Sequence, residues 1–251
     1  ASGSQSLYVT KAGDLYGMGS NSSGQLGDGT TVNKSSPVKI AANVSSVSSG
    51  NSHSLYITKA GDLYATGWNG NGQLGDGTTV NKSTPVKIAA NVVSASAGAY
   101  HSLYVTEAGD LYAMGRNDYG HLGDGTTVNK STPVKVAANV SSVSAGWGHS
   151  LYVTEAGDLY GMGWNLSCTL GDGTWVNKST PVKIASNVSS VSAGSDHSLY
   201  ISDAGDLYVM GSNSYGQHGD GTTALKMTPV KVASNVISVS AGKHYSLYVT
   251  E

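Results

Sequence analysis

Residues 54–101 read SLYITKAGDLYATGWNGNGQLGDGTTVNKSTPVKIAANVVSASAGAYH, and the same phrase begins again at Ser102, Ser150 and Ser198, with an earlier copy at Ser6. Each start follows the last by 48 residues, and a sixth at Ser246 yields only SLYVTE. A fixed period of this length marks a solenoid, propeller or array, so the fold follows from reading one unit. The expectation is a single domain over residues 1–251, built from five repeats and a duplicated terminal strand at 246–251.

Four short β-type runs, separated by turn signals, make up the unit. In one phase they are Val44–Ser49, Ser54–Thr58, Leu63–Gly67 and Pro85–Ile88, here called A, B, C and D. Lys59-Ala60-Gly61-Asp62 between B and C is a tight turn whose glycine supplies positive φ without steric cost. The C–D connection, GQLGDGTTVNKST, is too polar and too rich in glycine to be a strand. Its leucine (Leu26, Leu74, Leu122, Leu170) is read as a plug between neighbouring units. Proline opens D in each copy, which suits the start of an outer edge strand. Runs such as Leu-Tyr-Val leave neither face polar, as when both faces of a small sheet are covered. Four-stranded sheets stacked radially satisfy all of this. The predicted fold is an all-β, five-bladed β-propeller with four antiparallel strands per blade, closed by the N- and C-terminal strands. Counting strands gives one more than five blades need, so Ser6–Thr10 and Ser246–Thr250 compete for one place. One of them is predicted to fray or to pair with another molecule.

The phrase G-x-x-H-S-L-Y-V-T-x-x-G-D-L-Y-x-x-G-x-N-x-x-G-Q-L-G-D-G-T-T closely resembles the regulator-of-chromosome-condensation repeat, a propeller blade motif, over essentially the whole chain. The resemblance implies the blade fold and leaves function open. That superfamily includes a nuclear exchange factor for the GTPase Ran, a plant ultraviolet photoreceptor and a secreted bacterial β-lactamase inhibitor. Family propellers usually have seven blades, whereas five units are present here. The exchange factor's inserted wedge and basic tail have no counterpart. The photoreceptor's tryptophan clusters are missing too, since Trp147 stands alone at its repeat position among Ala99, Ser195 and Lys243.

Charge is sparse and balanced: the net is −2 and Arg116 is the sole arginine. A nucleic-acid partner is not expected without a basic face. No apolar run reaches the length of a membrane span. The lone Cys168 rules out an internal disulfide framework and leaves the compartment open, a secreted or cell-surface bacterial setting being preferred to a cytoplasmic one. Neither cofactor nor metal is expected. His53, His101, His149 and His197 share one repeat position, filled by Gln5 and Tyr245 in the terminal copies. One per blade lies too far apart to share a metal, and the family position is a blade-internal hydrogen-bonding histidine. Asp28, Asp76, Asp124, Asp172 and Asp220 read as Asp-Gly turns, lacking the alternating ligands of a calcium loop. His197 beside Asp196 has no nucleophile elbow near it. Nothing around Cys168 argues for a reactive thiol. No enzyme is expected.

The copies disagree mainly in the A–B and C–D connections, which emerge at one end of the blades. The A–B pair varies as Asn51-Ser52, Ala99-Tyr100, Trp147-Gly148, Ser195-Asp196 and Lys243-His244. After strand C the asparagine persists, while its flanks bring Trp68 and Asn71, then Arg116, Asp118 and Tyr119, then Trp164 and Leu166, then Tyr215. Ala-Gly-Asp at the other end recurs five times. Loops on a rigid scaffold are where binding resides, and Tyr, Trp, Ser, Gly, Asn, Asp and Arg are the menu of adaptable paratopes. The reading is a non-catalytic recognition module. Its ligand-binding face comprises Trp68, Asn71, Tyr100, Arg116, Asp118, Tyr119, Trp147, Trp164, Leu166, Asp196, Tyr215, Lys243 and His244, and its partner is a protein or peptide. Two alternatives stand beside it: a lectin stacking sugars on Trp68 and Trp164, and an amplified or engineered scaffold without a dedicated ligand. The oligomeric state is read as a monomer or a strand-exchanged dimer.

Overall fold

The computed structural model describes residues 4–251; residues 1–3 of the expected 1–251 span lie outside them. It divides into two compact units, the chain to Arg116 with Val128–Ala137, and Asn117–Thr127 with Ala138–Glu251. Sheets in both are antiparallel meanders in chain order. In the first unit, β1 (Gln5–Val9), β2 (Leu15–Gly19) and β3 (Lys34–Ala41) form a three-stranded sheet. Two four-stranded sheets follow: β4 (Val44–Ser49), β5 (His53–Thr58), β6 (Leu63–Gly67) and β7 (Lys82–Ala89); then β8 (Val92–Ala97), β9 (His101–Thr106), β10 (Leu111–Gly115) and β11 (Lys130–Ala137). The second unit holds two more, β12 (Val140–Ala145), β13 (His149–Thr154), β14 (Leu159–Gly163) and β15 (Lys178–Ala185), then β16 (Val188–Ala193), β17 (His197–Ser202), β18 (Leu207–Gly211) and β19 (Lys226–Ala233). It ends in a two-stranded sheet of β20 (Val236–Ala241) and β21 (Ser246–Thr250).

The A and C boundaries fall where the sequence puts them, but D does not. β7 begins at Lys82, three residues before the proline expected to open it. Its pairing with β6 runs from Ala65↔Val86 to Gly67↔Lys82 through a bulge. Pro85 lies in that irregular stretch, where its missing N–H forfeits no ladder bond. Of the two outcomes expected at the terminal strands, fraying is the one the structure overturns. Neither frays: β1 is held by β2 and β21 by β20, each in its own sheet.

Two turns shape the constant end of each sheet. In the B–C turn Gly61 N–H donates to the Thr58 carbonyl and Asp62 N–H to Thr58 Oγ1, with Gly61 at φ +79°. Lys87 on β7 closes the turn onto Asp62 at 2.8 Å. In the D–A turn Asn91 adopts φ 56°, a left-handed conformation that asparagine tolerates better than other side chains.

The core lies between consecutive sheets. Leu55, Ile57 and Leu63 of one sheet pack with Val92, Tyr104 and Met114 of the next, around Leu74 of the C–D loop, which is fully buried. In the second unit Leu170 sits likewise among Leu151, Leu159, Tyr200 and Met210. The predicted plug is therefore real. Directly opposed tyrosines on B and C stack, Tyr56 on Tyr64 at 5.1 Å and Tyr200 on Tyr208 at 4.8 Å, as cross-strand aromatic pairs do.

Candidate functional site

At the variable end, one hydrogen bond in each four-stranded sheet ties the first residue of the C–D loop to the A–B turn. Trp68 N–H donates to Ser52 O, Arg116 N–H to Tyr100 O, Trp164 N–H to Gly148 O and Ser212 N–H to Asp196 O. The two connections are thus neighbours within each sheet, as the sequence reading required.

The loop itself is stapled by its constant asparagine. Asn69 is fully buried; its Oδ1 accepts from Leu74 N–H, and its Nδ2 donates to Asp76 Oδ1 and the Thr78 carbonyl. Asp76 also accepts from both the N–H and the hydroxyl of Thr78 and pairs with Lys82 at 3.2 Å. In the first copy burial works to raise the Asp28 carboxyl, but Lys34, Thr30 and Asn21 outweigh it and hold the group at about 2. These carboxylates are saturated by protein donors, which accords with turns rather than calcium loops. No grouping of metal-ligating side chains occurs among the described residues.

The repeated histidines are buried clamps, and the sequence reading is corrected in one respect. Their partner is not in the same blade. His53 Nε2 meets Ser102 Oγ of the next sheet at 2.9 Å, and His149 meets Ser198 at 2.9 Å. Ser102 Oγ donates onward to the Gln73 carbonyl, so it accepts from His53 Nε2–H. Burial pushes His53 and His197 down to about 4. Burial, then the charges of His197 and His121, takes His149 to about 3.

Variable side chains gather on this frame in three groups. In the first unit Trp68 meets Tyr100 edge-on at 5.7 Å, and the Arg116 guanidinium lies 5.6 Å from the same tyrosine's centroid. In the second unit Tyr119, Trp147 and Trp164 pack on one another with centroids 4.7–6.3 Å apart. Gly148 allows this: a Cβ there would come within 3.3 Å of both Tyr119 and Trp164. Leu166 and Asp118 are exposed beside them in the sequence. Farther along, Tyr215 (71% exposed) packs on His244 at 4.6 Å. Burial pushes the Asp196 carboxyl up, opposed by the charges of His244 and Lys243. Asn71 is half-buried, and its N–H donates to Gln73 Oε1.

Both tryptophans expected as sugar platforms are half-buried and packed against aromatic neighbours. Trp175 is 48% exposed on the C–D loop between β14 and β15. Its signal was the substitution itself, a tryptophan where other copies carry threonine.

The contrast between the two ends has a mechanical component. Ala-Gly-Asp is constant because glycine is needed at positive φ and each Asp pairs with a D-strand lysine, Asp14 with Lys39 and Asp206 with Lys231 among them.

The RCC1-like domain family model matches residues 1–248. This chain belongs to the RCC1-like domain family. Its fold is the all-β propeller of that family, with antiparallel four-stranded sheets repeated along the chain. Human WBSCR16 superposes with a TM-score of 0.89 at 23% identity, over 99% of this chain and 70% of that one. Yeast RCC1 (Prp20), in complex with Kap60, gives 0.84 at 22% over 97% and 63%. Prp20p from Saccharomyces cerevisiae, described with its binding properties to Gsp1p and histones, gives 0.83 at 23% over 98% and 66%. The RCC1-like chain thus spans 63–70% of the length of these neighbours, and at such identities the likeness shows the fold alone. No curated protein matches it.

Proposed function

We propose that this RCC1-like chain is a non-catalytic module that binds a protein or peptide through its A–B and C–D loops. The observation that carries the reading is the Tyr119, Trp147 and Trp164 group of the second unit. Three large rings fix one another there, so little side-chain entropy is lost on contact, and Leu166 (49% exposed) and Asp118 stand nearby in the loops. Protein-binding hot spots have this character, rigid aromatics and arginine with adaptable polar residues around them. Trp68, Tyr100 and Arg116 offer a second patch of the same kind in the first unit. Family structures point the same way, one of them being a complex of yeast RCC1 with Kap60.

Tryptophan-fluorescence titration against a panel of proteins, peptides and glycans tests this. A protein or peptide hit should weaken at least tenfold in Trp147→Ala/Trp164→Ala, about 1.4 kcal/mol or more, with circular dichroism unchanged. A hit that survives in that variant but is lost in Lys39→Glu/Lys87→Glu would move recognition to the opposite end and sink the proposal. A saturable glycan hit alone would replace it with the lectin.

A further inference from the structure

The exposed apolar strand at the end of the chain is the largest feature left unexplained. Leu247, Tyr248 and Val249 on β21 are 63%, 50% and 55% exposed, whereas their counterparts Leu151, Tyr152 and Val153 on β13 are 0%, 5% and 1%. β13 is covered by the next sheet and the Leu170 loop, and the two strands also differ in pairing. β5, β9, β13 and β17 each pair on both edges, with an A strand and a C strand, while β21 pairs only with β20. The N-terminal sheet has the opposite deficit. β1, β2 and β3 supply B, C and D, and among the described residues β1 pairs with β2 alone.

β1 and β21 share one pentapeptide, SLYVT at Ser6–Thr10 and at Ser246–Thr250. We infer that β21 of one copy replaces β1 beside β2 of a second copy, so that β20, β21, β2 and β3 form a complete four-stranded sheet from two chains. The register follows from β1, where Ser6 opposes Met18, Leu7 opposes Gly17 and Val9 opposes Leu15. Ser246, Leu247 and Val249 would take those places with the same side chains. Exchange is therefore close to neutral at the strand itself. It forfeits one contact, the Gln5 amide donating to the Gly50 carbonyl at 2.8 Å. The apolar surface that β21 removes from water is offset by that of the released β1, so the gain is the open A position filled by β20. Every copy carries one donor end and one acceptor end that differ, so the contact builds head-to-tail chains or closed rings, the smallest of which is a reciprocal two-chain exchange.

Sedimentation velocity over a wide concentration range should show mass rising with concentration for the natural chain. Val249→Lys places a charge on β21 where the free chain exposes it, and should hold the protein at monomer mass with unchanged thermal stability. Trapping gives an independent reading. Ser246→Cys chains mixed with Met18→Cys chains should form a disulfide-linked heterodimer under mild oxidation; the native Cys168 is buried. Absence of that heterodimer, or a monomer at every concentration, would overturn the inference. So would a double Met18→Cys/Ser246→Cys chain that links only within itself, which would mean that one molecule uses both of its own ends.

Discussion

His53, His149 and His197 each tie one sheet to the next, and their burial favours the neutral form. Each is buried, and Nδ1 faces no acceptor among the described residues. Unfolded histidine titrates near 6.5, the folded groups at about 4, 3 and 4. A folded pKa below the unfolded one means the unfolded chain binds more protons, so stability falls as pH drops. The loss begins below about 6.5 and runs to about 4 for His53 and His197 and about 3 for His149, at close to 1.4 kcal/mol per pH unit for each histidine still neutral. Asp28, held at about 2, contributes stability that is lost only below about 4. A melting curve against pH should therefore bend first in the histidine window. His149→Gln, borrowing the residue found at position 5, should flatten that bend, and an unaltered profile would refute the assignment. Cys168 makes the opposite kind of test. It holds φ 54° where other copies have Gly24, Gly72, Gly120 and Gly216. Left-handed backbone disfavours a side chain by about 1–2 kcal/mol, so Cys168→Gly should raise stability by about 1 kcal/mol in urea unfolding. The sequence disclosed that a histidine bonds here but not to what, because every copy offers the same serine and only the fold selects the next one along.

At the scale of the element, the C–D loop is the part whose logic was half legible. Its Asp-Gly turn and leucine plug followed from residue type. The staple did not, since Asn69, Asp76, Thr78 and Lys82 are scattered over fourteen positions and meet only when the loop folds back. Asn69→Ala removes a fully buried group with three partners and should destabilise by about 2–4 kcal/mol, more than most surface changes. Hydrogen exchange at Leu74 N–H, which donates to Asn69 Oδ1, should accelerate in that variant beyond the global change. The D strand was misjudged for a related reason. Proline reads as a boundary, but a bulge admits it inside β7, and bulges leave no mark in the alternation of apolar residues.

For the whole molecule, the side-chain groups at the variable end are local: Trp68 with Tyr100 and Arg116, Tyr119 with Trp147 and Trp164, Tyr215 with His244. The sequence named these residues correctly as variable yet could not tell which would touch, since contact crosses from one repeat to the next. Trp68→Ala should lower stability by about 1–2 kcal/mol because its ring packs on Tyr100, a cost read from denaturant midpoints and separable from any loss of binding. The clamps have a further consequence. His53 with Ser102, His149 with Ser198 and His197 with Ser246 are copies of one lock and one key. During folding any such key fits several locks at nearly equal energy, so the landscape holds decoys in which a repeat is skipped and looped out. Refolding should be multiphasic, with slow escape from these near-native traps, and the slow fraction should shrink when a single repeat is given a pair of its own.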